Sequence, residues 1–102
     1  MDIRILREYV EFSKHLNFSA AARFLHMSQS SLSKHIAELE KEIGFTLVNR
    51  ESDISLTAAG RHFLKSVEDM LYDYDLALKK CRSISREKAM RIVVQDPMID
   101  FT

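Results

Sequence analysis

Several features that define other kinds of protein are scarce in this chain of 102 residues. Its single cysteine excludes an internal disulfide and the common zinc-binding patterns, and fits a reducing compartment. One proline and two glycines are too few for a linker-like chain, so we expect an ordered, mainly helical domain. Neither a long apolar run nor a signal-peptide pattern is present, so we expect a cytoplasmic protein that does not enter a membrane.

An excess of positive charge is also lacking. The 15 lysines and arginines are balanced by 15 aspartates and glutamates, which is not the composition of a strongly basic nucleic-acid-binding protein. If nucleic acid is the ligand, the charge must be arranged locally. Non-specific binding should then be weak, and affinity should depend on a few contacts and on dimerisation.

The segment from Ser28 to Gly44 is the clearest amphipathic helix of the chain. Four apolar residues share one face, at the spacing of a buried helix stripe: Leu32, Ile36, Leu39 and Ile43. The opposite face carries short polar and basic side chains: Gln29, Ser30, Ser33, Lys34 and Lys41. The acids lie in the C-terminal half, where the helix dipole disfavours them: Glu38, Glu40 and Glu42. A helix whose first turns approach phosphates would show this order, so we interpret it as a recognition helix.

Two shorter helices are predicted before this one. An apolar stripe predicts the first over residues 2–16: Ile3, Leu6, Tyr9, Val10, Phe12 and Leu16. Ser19 is a favourable N-cap for a second helix from Ala20 to Leu25, with Phe18 packing before it as a hydrophobic staple. A short turn leads to Ser28, which is predicted to cap the third helix. Two helices joined in this way form a helix-turn-helix.

A short hairpin is predicted after the third helix. Residues 45–48 indicate one strand, residues 54–56 its return, and residues 49–53 the turn between them. Such a hairpin is the wing of a winged helix-turn-helix. We therefore predict a mainly α fold, with a three-helix core and a two-stranded wing in a domain of residues 1–56.

Thr57 is predicted to cap a long final helix that ends between Ser85 and Lys88. Apolar residues with the spacing 3-4-3-4-3 form a coiled-coil seam along it: Leu64, Val67, Leu71, Tyr74, Leu78 and Cys81. So small a domain could not cover this seam, so we expect a homodimer through a linker helix at residues 57–88. Packing on the chain's own first helix is the alternative, which we expect only for Phe63 and Leu64.

The last part of the chain, residues 89–102, gives a different pattern. Arg91 to Val94 indicates a strand without a neighbour, and Pro97 and an apolar tail follow it. We interpret this segment as the start of a further domain that this sequence does not contain, with a frayed terminus as the alternative.

A further set of residues is informative through its order and spacing: Leu6, Phe18-Ser19, Ala21-Ala22, Leu25, Ser28-Gln29, Ser33, Ile36, Leu39-Glu40, Gly44, Leu47, Arg50, Leu56-Thr57 and Ala59-Gly60. In this order and spacing, from residue 1 to about 90, the chain resembles the N-terminal domain of LysR-type transcriptional regulators, which are bacterial winged helix-turn-helix proteins.

This resemblance implies a domain that binds double-stranded DNA, followed by a linker helix that pairs with a second subunit. It also implies a larger C-terminal domain, outside this sequence, that binds a small-molecule effector and permits higher oligomers. Carried over by position, it implies DNA contacts from seven residues: Ser19, Ser28, Gln29, Ser30, Ser33, Lys34 and Arg50.

The resemblance also suggests the roles of these residues. Gln29, Ser30 and Ser33 would meet base edges, and Gln29 could bond N6 and N7 of adenine in bidentate fashion. Lys34 would contact a phosphate or a guanine, and Arg50 the backbone or the minor groove. Ser19, as a helix cap, would present backbone amides to a phosphate.

The chain departs from the family pattern at three places. Ser30 stands where proline is frequent, which changes the groups offered to a base, and Val48 stands where phenylalanine is common. Glu51 and Asp53 occupy the wing tip, where basic residues or glycine are frequent. Two acids near phosphates repel them, so we expect that this tip does not insert deeply into the minor groove.

Other classes of function find less support. The four histidines have no shared ligand spacing, so we expect no metal and no cofactor: His15, His26, His35 and His62. Serines are plentiful near residue 30, yet no Ser-His-carboxylate order or glycine-flanked elbow accompanies them, so we expect no enzyme. A helix-turn-helix module that pairs with proteins without gripping DNA stays open, because the net charge is zero and the wing tip is acidic.

Overall fold

A computed structural model of the chain describes residues 2–94, with the backbone alone for residues 90–94. Four helices and a two-stranded hairpin follow one another in this order: α1 Ile3–His15, α2 Phe18–Phe24, α3 Gln29–Ile43, β1 Val48–Asn49, β2 Ser55–Leu56 and α4 Ala58–Val94. This architecture confirms the predicted mainly α winged helix-turn-helix followed by a long helix. Residues 2–70 form one compact unit, and a second unit begins at Leu71. No helix within residues 2–94 is long and apolar enough to cross a lipid bilayer.

Both ends of α3 lie where the sequence predicts them. The Ser28 hydroxyl accepts a hydrogen bond of 3.1 Å from the backbone N–H of Ser31, which satisfies one of the free amides of the first turn. Gly44 ends the helix in the left-handed conformation, with φ +90°. That backbone conformation favours glycine, and it turns the chain towards the wing.

The cap of α2 differs from the prediction, because Asn17 and not Ser19 begins this helix. The Asn17 side-chain oxygen accepts a hydrogen bond of 2.8 Å from the Ala20 N–H. Phe18 is thereby the first helical residue, and its ring centroid lies 4.4 Å from that of Phe12. Asparagine caps a helix as well as serine does, and a helix that starts at Phe18 packs this half-buried ring on α1. Ser19 lies inside the first turn, so its predicted role as the cap of α2 is wrong. Its predicted contact with a phosphate stays a prediction.

The core of the first unit lies between the helices and the base of the wing. Its buried side chains come from the four helices and from the first strand of the wing with the residue before it: Leu6, Tyr9, Phe12, Ala21, Ala22, Leu32, Ile36, Leu39, Leu47, Val48 and Val67. Burial of one large apolar side chain stabilises a fold by about 1.5–3 kcal/mol. The two small alanines let α2 approach its neighbours closely. Ile43, the last residue of the predicted stripe, is only half-buried.

The wing is a shorter hairpin than predicted. Val48 pairs with Leu56 and Asn49 with Ser55, in an antiparallel register. Phe45 lies outside the strand and is 42% exposed. The backbone ahead of β1 bonds elsewhere, since the Thr57 N–H donates to the Leu47 carbonyl at 2.9 Å and the Leu47 N–H donates to the Glu40 carboxylate at 2.6 Å.

The long helix begins at its predicted cap and continues past its predicted end. The Thr57 hydroxyl accepts from the Gly60 N–H at 2.8 Å and donates to the Thr46 carbonyl at 2.8 Å. The helix then runs to Val94, so the strand predicted for residues 91–94 is wrong. A lone strand leaves its backbone groups unpaired, whereas a continued helix pairs them within the segment. Residues 95–102, the rest of the predicted tail, lie outside the described residues.

The predicted seam of α4 divides into a buried and an accessible part. Val67 is 2% exposed and Leu71 is 6% exposed within the single chain. Burial within the chain therefore continues beyond Phe63 and Leu64, the two residues for which the sequence predicted it. Tyr74, by contrast, is 44% exposed, and Cys81 is also exposed.

Tyr9 connects α1 to the start of α4. The side chain is fully buried, and its hydroxyl donates a hydrogen bond of 2.7 Å to the Gly60 carbonyl. Burial disfavours the phenolate, and the nearby negative charge of Glu40 adds to this, so the pKa of Tyr9 rises from 10.0 to about 12. The neutral hydroxyl is thus the form that the fold requires.

This pKa predicts a loss of stability in alkali. The contribution of Tyr9 to the free energy of unfolding should be complete below pH 10, the pKa of an ordinary tyrosine, and should be lost as the pH rises to about 12. The loss should amount to roughly 2 kcal/mol, because the unfolded chain ionises first. Chemical denaturation between pH 8 and 12 should show this drop in the wild type and a smaller one in Tyr9→Phe. Tyr72→Phe, at a 68% exposed site, should follow the wild type. A Tyr9→Phe curve parallel to the wild type would contradict the assignment.

Candidate nucleic-acid interface

The buried stripe of α3 fixes which side of this helix faces outward. Leu32 and Ile36 are 0% exposed, so rotation of the helix about its axis would expose apolar surface. The other side of the helix carries exposed polar side chains, among them Gln29, Ser30 and Lys34. No acid lies in the first turn. The positive end of the helix dipole therefore meets solvent without a local negative charge.

Lys34 is a free cation of this face. Its side chain is exposed, and within residues 2–94 it takes part in no ion pair. An unpaired ammonium needs only charge and reach to meet a phosphate. The chain therefore presents local positive charge here, although its net charge is zero.

Gln29 is held by a residue of the preceding helix. The Ser19 hydroxyl donates a hydrogen bond of 2.6 Å to the Gln29 side-chain oxygen, and both residues are exposed. The structure thus places Ser19 beside α3, where the sequence also grouped it, but through a contact that the sequence did not predict.

Arg50 connects the start of the wing to α3. Its guanidinium donates a hydrogen bond of 2.8 Å to the Ser33 hydroxyl and lies 4.9 Å from the centroid of the Phe18 ring. Its second terminal nitrogen lies 3.6 Å from a carboxylate oxygen of Glu40. We call these four residues the Arg50 clasp. A planar cation suits all three partners at once, through hydrogen bonding, stacking and charge.

Glu40 supports the clasp from inside the domain. One carboxylate oxygen accepts from the backbone N–H groups of Leu47 and Val48, at 2.6 and 3.1 Å. The other oxygen faces Arg50. The position of Glu40 late in α3 therefore has a structural reason. The sequence had suggested another, namely that acids avoid the end of the helix that approaches phosphates. Glu38, two residues before Glu40 in α3, is exposed.

The predicted site residues thus form one outward surface made of α3, the start of α2 and the start of the wing. Asn17, Phe18 and Glu40 also shape this surface, and sequence reasoning missed them as functional supports. Asn17 carried a usable signal, because asparagine is among the strongest N-cap residues and lies three positions before Ala20. The acidic wing tip, with Glu51 and Asp53, is exposed.

Three packed helices, a two-residue-strand wing and a polar recognition face define a winged helix-turn-helix domain. The sequence profile described as "Bacterial regulatory helix-turn-helix protein, lysR family" matches residues 3–61. The chain belongs to this family. The match spans α1 to the start of α4 and so includes every residue of the outward surface.

Known proteins similar to the chain fit this assignment. The HTH-type transcriptional regulator YcgK of Bacillus subtilis (strain 168) is 32% identical over 100 residues, which cover 97% of this chain and 31% of YcgK. The Hca operon transcriptional activator HcaR of Escherichia coli (strain K12) is 40% identical over 88 residues, which cover 85% of this chain and 30% of HcaR. The chain therefore spans about a third of the length of these relatives.

A solved structure agrees with the fold as well. The crystal structure of the BenM_DBD/catB site 1 DNA complex matches with a TM-score of 0.82 and 30% identity, covering 85% of this chain and 95% of that chain.

The role of Glu40 predicts a stability difference between two acids of one helix. Glu40→Ala leaves the Leu47 and Val48 amides without an acceptor and should lower the free energy of unfolding by about 2–4 kcal/mol. Glu38→Ala, at an exposed position, should change it by less than about 0.5 kcal/mol. Urea denaturation of both variants measures the difference. Equal effects would show that the carboxylate of Glu40 does not hold the wing.

Proposed function

We propose that the chain binds duplex DNA sequence-specifically through the exposed face of α3, as the DNA-binding part of a transcriptional regulator. The observation that carries this proposal is the acid-free, polar first half of α3, held outward by the fully buried Leu32 and Ile36. A helix presented in this way fits the major groove, which admits an α-helix and displays a distinct pattern for each base pair.

Support for this ligand comes from the relatives. HcaR is a transcriptional activator by name, and the BenM domain was crystallised with DNA. Since such a regulator acts on the bacterial chromosome, we place the protein in the cytoplasm. We also propose, from the length of the relatives, that the domain acts beside a separate effector-binding domain.

The exposed residues of the surface divide into two roles. Gln29 and Ser30 lie in the first turn of α3 and are proposed to meet base edges, with Ser28 beside them at the cap. Lys34 is proposed to contact a phosphate. Arg50 keeps further N–H donors beyond those in the clasp, and these are proposed to reach the backbone while the clasp holds Ser33 and the wing in place.

Pairing of two copies is the second part of the proposal. Within residues 71–94, α4 exposes an apolar stripe on one side: Tyr74, Ala77, Cys81 and Ile84, with the half-buried Leu78 among them. Their spacing continues the heptad pattern, which suits a second copy of the same helix. Two recognition helices in one dimer would then read half-sites about one helical turn, or a multiple of it, apart.

Two substitutions should separate phosphate contact from base reading. Lys34→Ala should weaken binding to all duplexes similarly and reduce the slope of log affinity against log salt by about 1. Gln29→Ala should chiefly reduce the discrimination between bases at one base pair of the site, by about 1–3 kcal/mol. Fluorescence titration against a selected site and its single-base variants, at several salt concentrations, measures both quantities.

The same titration tests the proposal as a whole. Wild-type affinity must fall steeply with salt and must vary with sequence. Binding that ignores salt, or no binding at any salt, would instead favour a protein-interaction module. Equal losses on every sequence for both variants would remove the base-reading role of Gln29.

A matched pair of tyrosines tests the dimer. Tyr74 lies on the apolar stripe and is 44% exposed, whereas Tyr72 is 68% exposed and lies about 200° around the helix from it. Tyr74→Lys should raise the dimer dissociation constant by at least about tenfold and weaken binding to paired half-sites. Tyr72→Lys should leave both unchanged. Sedimentation equilibrium decides, and an unchanged oligomer in Tyr74→Lys would reject this stripe as the interface.

A further inference from the structure

The hydrogen bond between Ser19 and Gln29 is not explained by the stability of either helix. The Ser19 hydroxyl would be idle as a cap, because Asn17 already accepts from the Ala20 N–H. Instead it reaches ten residues along the chain to the Gln29 oxygen, at 2.6 Å. Both residues are exposed, so water could replace this bond in the free protein at little cost. We therefore ask whether this short hydrogen bond fixes the orientation of the Gln29 side-chain amide.

The orientation of that amide decides what Gln29 can read. Rotation about the last side-chain bond is broad and roughly two-fold, and it exchanges an acceptor oxygen with a donor NH₂ group. A free glutamine can turn either group towards a base. In the structure the Ser19 hydroxyl donates to the oxygen, which is one of the two orientations. The turned amide would instead donate its NH₂ group to the hydroxyl and would leave the oxygen to face a base.

We propose that Ser19 is a positioning residue that sets the base preference of Gln29. By holding the oxygen towards α2, Ser19 leaves the NH₂ group as the part of Gln29 offered to DNA. Gln29 then reads hydrogen-bond acceptors of the major groove, namely purine N7, guanine O6 or thymine O4. The bidentate adenine contact needs the oxygen to accept from N6, so Ser19 disfavours it. This inference rests on the proposed DNA binding through α3.

A different role for Ser19 would leave a different signature. If the hydroxyl met a phosphate itself, its loss would weaken all sequences alike and would do so whether or not Gln29 were present. A positioning residue acts only through its partner. Its loss must therefore change the preference at the base pair read by Gln29, and must have no further effect once Gln29 is removed.

The experiment is a double-mutant cycle on base preference. Wild type, Ser19→Ala, Gln29→Ala and the double variant are titrated with a duplex obtained by selection and with its single-base variants. Ser19→Thr keeps a hydroxyl and serves as the conservative variant. Ser66→Ala, at an exposed site of α4, is the matched control. Thermal unfolding confirms that each variant is folded.

Ser19→Ala should reduce the discrimination at the Gln29-dependent base pair by roughly two- to tenfold, the range of one neutral hydrogen bond, and should move the preference towards adenine. Ser19→Thr should restore the wild-type preference, and Ser66→Ala should not alter it. In the Gln29→Ala background, Ser19→Ala should have no further effect on the preference.

Three results would overturn the inference. Uniform weakening on all duplexes would make Ser19 a phosphate contact, and an unchanged preference in Ser19→Ala would mean that the amide needs no positioning. Sequence-dependent binding in which Gln29→Ala alters no base pair would remove the partner through which Ser19 acts, while DNA binding itself stands. Failure of the wild type to bind any duplex would defeat the proposed function and this inference together.

Discussion

The outward face of α3 depends on the burial of its opposite side. Leu32, Ile36 and Leu39 are each at most 1% exposed, and they are a large part of the small core of this domain. Turning the helix by one residue would bring apolar surface into water and polar groups into the core, at a cost of several kcal/mol. The rotation of the helix is therefore fixed before any ligand arrives. Every polar contact of the surface acts on this fixed frame.

The polar side chains of this face are in turn held from outside the helix. Ser19 comes from α2 and holds Gln29, while Arg50 comes from the wing and holds Ser33. Glu40 reaches back from α3 to the amides that precede β1 and faces the same guanidinium. Helix, turn and wing are thus coupled by a few directional bonds. Pre-organisation of this kind reduces the conformational entropy that binding has to overcome.

Periodicity and caps were sufficient to predict the four helices and the hairpin, though not all of their ends, because both depend on nearby residues. The stripe of α3, its cap Ser28 and its end at Gly44 follow from spacing and from the preferences of serine and glycine. Side-chain pairs such as Arg50 with Ser33 join positions 17 residues apart, and no pattern in one sequence connects them. The predicted cap of α2 was wrong because Asn17 and Ser19 are both good cap residues two positions apart; with Asn17 as the cap, the Phe18 ring packs on Phe12 of α1. Likewise, the heptad spacing of α4 does not reveal that Val67 and Leu71 are already buried within the single chain, because their burial depends on tertiary packing.

The zero net charge of the chain determines how much these fixed contacts of α3 matter for binding DNA. A protein with a large positive excess binds any duplex through counterion release, and base contacts then add to an affinity that already exists. Here the net charge is zero and the wing tip is acidic, so little general attraction is available. Discrimination must then come from few contacts whose geometry is fixed and, in the proposed dimer, from two such faces acting together. A serine that orients one glutamine is effective in this setting, because one well-placed donor is a large fraction of the readout.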